Sequence, residues 1–224
     1  MRLVYVDFNL AFELKENEAM VIVIENQHLF AEIVNELIQQ CAGQDGGFVL
    51  SDSDKIKTIS KEMQFIMNPF LVDCNERKII QKLYQEIEMV ALEEYIEYMS
   101  SVHSEIINCL DKLSAAIPYA VSYNIDQNIP SLLKAYNVQI DAAAENLLEK
   151  LINYLRVLNQ LCHIHVIGFV NLKTFLSDEE VMQLYEFAFY QKIQLILFEN
   201  VQKSVLQGEK TCILDKDQCI ININ

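Results

Sequence analysis

Three dipeptides in this 224-residue sequence occupy positions that could hold a reaction centre: Glu25-Asn26, Val170-Asn171 and Glu199-Asn200 each close an apolar, strand-like run. In open α/β sheets the carboxyl ends of the strands line the ligand crevice, so carboxylates and amides gathered there could form a metal-assisted hydrolase site. No base, nucleophile or glycine loop accompanies them, and Asn and Asp are ordinary formers of strand-end turns, which is the reading the residues favour. Cys162, His163 and His165 have metal-ligating side chains, but adjacent residues at the start of a strand point to opposite faces and no fourth ligand is evident. His28 and His103 lie in helical stripes and read as packing residues. Glu86, Glu93 and Glu97 recur at seven and four on one helix face, where a hard cation such as calcium would relieve their repulsion; a solvated face is the simpler account. The Walker lysine, Gly-x-Ser-x-Gly and His-Glu-x-x-His are all missing.

Charge supplies a different kind of chemistry. The chain has 17 basic and 32 acidic residues, a net charge of −15, which on its face argues against nucleic acid. The distribution is uneven. Lys55, Lys57, Lys61, Arg77, Lys78 and Lys82 stand against Glu62, Asp73 and Glu76, forming a locally positive segment. Lys55-Ile56-Lys57 alternates, so an extended backbone puts both lysines on one face. Glu86, Glu88, Glu93, Glu94, Glu97, Glu105 and Asp111 then follow without a base before Lys112. Such polarity suits a protein that offers DNA one basic face and repels it elsewhere, or simply a basic loop followed by a solvated helix.

The elements that must position these residues centre on Ala19–Cys41. Met20 to Ile24 is a continuous, mostly β-branched apolar run, as expected of a strand buried on both faces. Leu29, Phe30, Ile33, Val34, Leu37, Ile38 and Cys41 form one stripe of a helix closed by Gly43. Strand, turn and helix make the first half of a βαβ unit, where such folds hold a phosphate. The turn Glu25-Asn26-Gln27 has no glycine or lysine, and Glu25 would repel a triphosphate, so no nucleotide is expected. Leu3–Val6 and Ala11–Leu14 read as a hairpin turning at Asn9, and Phe48–Leu50 and Met63–Met67 as further strands. Ser51-Asp52-Ser53-Asp54 reads as a polar loop.

From Asn75 the pattern is helical as far as Pro118, in one long helix or two packed as a hairpin. Tyr119–Asp126 reads as extended, Pro130 opens a short helix through Tyr136, and Val138–Ile140 is a strand or turn. Leu147 to Leu161 is a strong helix. Strands Ile164–Val170 and Ile193–Phe198 flank a helix opened by the capping box Ser177-Asp178-Glu179-Glu180, and Cys219–Ile223 is a last short strand. The fold class is therefore α/β: a head of residues 1–68 and 146–224 with one parallel-type sheet built from both chain ends, like a P-loop NTPase without Walker motifs, and an inserted α-helical leg, 69–145. The longest apolar runs are far too short to span a bilayer. Met1 to Asp7 reaches an acid too early for a signal peptide, so a cytoplasmic location is expected. The six cysteines (41, 74, 109, 162, 212 and 219) lack metal-type spacing and read as reduced core thiols.

Together, the acidic chain of this length, the head built from both ends, the helical insertion, the stripped phosphate-loop turn and Lys55-x-Lys57-Thr58-Ile59 resemble the Csn2 family, the ring-forming adaptation proteins of bacterial type II-A CRISPR systems. The resemblance spans the whole chain and is strongest at Met20–Glu25, Lys55–Ile59 continuing into Lys82-Leu83, and Leu195–Asn200. It implies a non-catalytic homotetrameric ring whose positively lined hole accepts free ends of double-stranded DNA during spacer acquisition, alongside the CRISPR integrase and the RNA-guided effector nuclease. Lys55 and Lys57 match the family's lysine segment; charge alone adds Lys61, Arg77, Lys78 and Lys82. The resemblance also implies a structural calcium near the junction of head and leg, for which this chain offers Asn124, Asp126, Asp141 and Glu145. The reading from another class is an acidic protein-interaction scaffold on a degenerate nucleotide-binding fold. A metallo-hydrolase using Glu25 and Glu199 ranks third.

Overall fold

The computed structural model describes every residue except Asp7, Asn9, Asp54, Gln127, Gln218 and Asn224, and omits the side chains of Asn222 and Ile223. Asn9, expected in the first turn, and Asp54, expected in the polar loop, thus lie outside the described residues. In chain order the strands are β1 (Arg2–Tyr5), β2 (Leu10–Glu13), β3 (Ala19–Ile24), β4 (Phe48–Asp52), β5 (Lys55–Lys57), β6 (Met63–Ile66), β7 (Val166–Val170), β8 (Gln194–Glu199), β9 (Glu209–Leu214) and β10 (Ile220–Ile223). The helices are α1 (Gln27–Cys41), α2 (Ile59–Glu62), α3 (Arg77–Glu94), α4 (Ile96–Ala115), α5 (Ile129–Ala135), α6 (Leu147–Gln160) and α7 (Asp178–Tyr190). The chain divides into two units, Met1–Cys74 with Ala142–Asn224, and Asn75–Asp141. The inserted unit is shorter than the expected 69–145. Pro69–Leu71 forms a 3-10 turn of the first unit, where the Lys150 ammonium donates to the Phe70 carbonyl at 2.6 Å.

The first unit is built on a six-stranded sheet of order β10-β9-β3-β8-β7-β6. All its neighbouring strands run parallel except β10, which returns antiparallel to β9. All six residues of β3 are buried, the consequence of an apolar run with neighbours on both edges and cover on both faces. Gly168 in β7 leaves room for its neighbours: a Cβ there would sit 2.5 Å from the Phe65 ring. Helix α1 drives Leu29, Ile33 and Leu37 into the core beside Ile22 and Ile24, and Gly43 follows it with φ +94°, a left-handed turn that suits glycine. The expected capping box opens α7: Ser177 accepts from the Glu180 N–H while Glu180 accepts from the Ser177 N–H.

One sheet was expected and two are found. β1, β2, β4 and β5 form their own antiparallel sheet of order β2-β1-β4-β5. Its strands alternate, as in the buried-exposed pattern of Leu10–Glu13, because only one face is covered. Leu3, Tyr5, Phe12, Phe48 and Leu50 join the core shared with α1, and Tyr5 stacks on Phe48 at 4.3 Å. Strand β9 was not anticipated. Its first half, Glu209-Lys210-Thr211, is polar, and pairing with β3 rather than local pattern makes it a strand.

In the second unit the helical run breaks at Tyr95 (φ −126°, ψ 20°) and resumes at once, giving two helices rather than one. Consequently Glu86, Glu93 and Glu97 do not share a continuous helix face. Val138–Ile140 is not a strand; the Val138 N–H donates to the Leu133 carbonyl, Asn75 bonds both the N–H and the carbonyl of Ile140, and the Tyr84 hydroxyl donates to the Val138 carbonyl. Tyr119–Asp126 has no regular structure, and His103 Nε2 lies 2.9 Å from the Ile125 carbonyl oxygen. His28 is exposed rather than packed. Of the six cysteines only Cys74 and Cys212 are buried, not all six as a core reading requires; Cys109 and Cys219 are exposed.

Candidate nucleic-acid interface

Strand β5 is the three-residue edge of the antiparallel sheet, its register set by Asp52 opposite Lys55, Ser51 opposite Ile56 and Leu50 opposite Lys57. The pleat puts Lys55 and Lys57 on one face as the alternation requires, and Ile56, 80% exposed, on the other. At Thr58 the chain turns into the single turn of α2, which carries the exposed Lys61. Lys57 is 3.3 Å from Glu62 Oε1 and so partly neutralised; among the described residues Lys55 and Lys61 carry no ion pair. Lysines on an edge strand also discourage sheet-to-sheet pairing, which accounts for them without any ligand.

Arg77, Lys78 and Lys82 belong to the other unit. All three are exposed at the start of α3, Lys78 and Lys82 one turn apart on the same face. The first turn of α3 contains no acid, so its cations oppose the helix dipole, while the N-cap residue, Glu76, supplies a negative charge at the same end. The six basic residues thus form two groups of three, one in each unit.

The residues expected to hold calcium are divided between the units, Asn124, Asp126 and Asp141 in the inserted one and Glu145 in the first. Asn124 Oδ1 is engaged by the Asp126 N–H at 2.9 Å in a local turn, and the Glu145 N–H is held by Glu149 Oε2. Among the described residues no three His, Cys, Asp or Glu side chains are grouped to hold a metal. His163 and His165 are both exposed, and His165 Nδ1 meets Asn159 Oδ1 at 2.7 Å.

The strand-end asparagines are turn formers. Asn26 caps α1, accepting from the N–H groups of His28 and Leu29 that a phosphate would otherwise use. Asn171 adopts φ 51° and accepts from the Asn200 N–H. Glu25, Gln27, Phe30, Asn200 and Lys216 line a cavity of about 380 Å3 at the ends of β3 and β8. Glu199 is not on its wall. It is 1% exposed, and Oε1 accepts from the Lys173 N–H, so the two carboxylates of the hydrolase reading occupy different environments. Burial pushes the Glu199 carboxyl up to about 7, against the opposing pull of the Lys173 N–H, the Lys173 ammonium and Lys203, with Glu209 adding to the rise.

Sequence reasoning missed the partners of Glu199. Lys173 is buried, its ammonium 2.5 Å from Glu209 Oε1, and Tyr185 donates to the same oxygen at 2.7 Å. Burial, then Glu209, pushes the Tyr185 hydroxyl well above its ordinary value. The available signal was a lysine set among apolar residues in Leu172-Lys173-Thr174-Phe175.

Residues 40–218 match the family model described as CRISPR-associated protein (Cas_Csn2). A CRISPR-associated protein Csn2 of Enterococcus faecalis is 23% identical over 224 residues, covering 95% of each chain. A second, from Streptococcus agalactiae, is 23% identical over 216 residues, covering 92% of this chain and 88% of the relative. Among solved structures, an ATP-binding cassette of an ABC transporter in its ADP conformation superposes with a TM-score of 0.47 and 11% identity, over 95% of this chain and 85% of the cassette.

Proposed function

The chain belongs to the CRISPR-associated Csn2 family, and on that premise we propose that it binds the ends of duplex DNA without sequence preference and without catalysis, in support of spacer acquisition. The observation that carries the reading is the edge strand β5 with its neighbour α2: Lys55 and Lys61 project from an otherwise acidic chain, Lys57 beside them. Cations that meet phosphates rather than base edges bind every sequence alike and lose affinity with salt. The net charge of −15 disfavours DNA elsewhere on the surface. In this reading the working form is a homotetrameric ring in the bacterial cytoplasm, threaded by DNA from a free end, acting with the CRISPR integrase and the RNA-guided effector nuclease.

The test is binding of the purified protein to one plasmid in circular and linear form, at low and moderate salt, with calcium or with a chelator. Preference for the linear form that fades with salt, and its loss in the double variant K55E/K57E, is the expected result. Equal binding to both forms overturns threading. No binding by a well-folded protein with calcium present transfers the function to the scaffold reading, which the exposed acids of α3 and α4 favour: Glu86, Glu93, Glu94, Glu97 and Glu105 are all exposed.

A further inference from the structure

Three charged side chains meet out of water beside the connection from β8 to β9. Lys173 follows β7, and the side chains of its ion pair with Glu209 are 3% and 0% exposed. Glu209 is saturated: besides the Lys173 ammonium it accepts from the Tyr185 hydroxyl and from the Leu206 N–H. Glu199 is not. Its Oε1 accepts the Lys173 N–H, while Oε2 is buried and meets no partner among the described residues. One ammonium facing two ionised carboxylates leaves a negative charge uncompensated in the interior, where such a charge is costly. The carboxyl with fewer donors is the one that takes up a proton.

The same residues hold the connection 200–208, which has no regular structure and is largely exposed. The Lys173 ammonium donates to the Ser204 carbonyl at 2.8 Å, Ser204 Oγ donates to Asp178 of α7, and Glu209 receives the Leu206 N–H. Asn200, Val201 and Gln202, at its start, form part of the wall of the strand-end cavity. Proton and loop are therefore tied to one lysine.

We propose that Glu199 is a proton-operated latch for the connection 200–208. Carrying its proton, the cluster is neutral and Lys173 holds Ser204. When the proton leaves for solvent, the extra negative charge competes with Glu209 and Ser204 for the Lys173 ammonium and draws in water, and the connection loosens together with the cavity wall. The charged and titratable groups that act on Glu199 are Lys173 from the turn after β7, Lys203 from the connection, Glu209 from β9 and, through Glu209, Tyr185 from α7. The direction follows from linkage: a carboxyl that holds its proton more tightly in the closed form favours closure at low pH and releases it as pH rises. Burial, which lifts this carboxyl to about 7, places the transition near neutrality.

The test is amide hydrogen exchange of peptides spanning 200–208, corrected for intrinsic rates, from pH 5.5 to 8.5 in the wild type and in Glu199→Gln. Linkage gives a rise in the wild-type opening constant of at least about tenfold between pH 5.5 and 7.5, levelling off above, and a flat profile in Glu199→Gln. A flat wild-type profile, or the same rise in both proteins, overturns the proposal. If Glu199→Gln does not fold, the wild type still decides. The latch requires 200–208 to open at lower free energy than α6 and α7 at every pH, since global unfolding also carries the Glu199 linkage; opening constants for 200–208 equal to those of α6 and α7 overturn it.

Discussion

Among the described residues, Asn75–Asp141 buries three apolar side chains, Ile79, Ala91 and Ile129, while all the other buried apolar residues belong to Met1–Cys74 or Ala142–Asn224. The contrast is one of architecture. A sheet covered on both faces buries whole strands such as β3, whereas α4, twenty residues long and amphipathic, buries none. Met89, Val90, Leu92, Ile96, Tyr98, Ile106 and Leu113 stay substantially exposed along α3 and α4. The first unit holds itself together; the second carries an apolar surface of the kind that association covers, which suits the ring of the proposed function.

Substitutions can sharpen or break this contrast. The largest expected effect is Phe169→Ala in β7, a fully buried side chain whose loss costs about 3–5 kcal/mol in chemical denaturation of the whole chain. Next is the pH dependence of Glu199. Because its folded value of about 7 lies above the ordinary 4.5, its stabilisation is complete below about pH 4.5 and is lost as pH rises through 7. The difference between wild type and Glu199→Gln should change by up to about 3 kcal/mol over that span, read from denaturation midpoints at each pH. Ser177→Ala removes the cap of α7 and costs about 1 kcal/mol by the same measurement. Ile106→Ala on α4, 40% exposed, should cost below about 1 kcal/mol in dilute protein. If sedimentation shows self-association weakening in Ile106→Ala while unfolding is unchanged, the contrast is sharpened; an unfolding cost matching that of Phe169→Ala would erase it.

Where period and burial coincide, the elements were legible in advance. Met20–Ile24, the stripe of α1 and the Ser177 capping box each carry their own local cause, and each stands where the pattern put it. The alternation of Lys55 and Lys57 was likewise legible, because a strand has period two wherever it lies. Strand β9 was not legible, since Glu209-Lys210-Thr211 owes its conformation to pairing with β3. Whether the run held one helix or two, and the place of the break at Tyr95, were not legible because apolar spacing continues across it and no proline or glycine marks it.

The candidate site divides along the same line. The sequence alone determined which cations stand close together in the chain, that the phosphate-loop turn lacks its glycine and lysine, and that the chain is strongly acidic, because these follow from residue identity and local period. Only the tertiary structure decided that Lys57 is paired with Glu62, that the strand-end asparagines are spent on turns, and that Lys173, Glu199 and Glu209 share one buried cluster. Those contacts join residues distant in sequence or depend on where a loop closes. A buried charge acquires its meaning from the partners that folding brings to it.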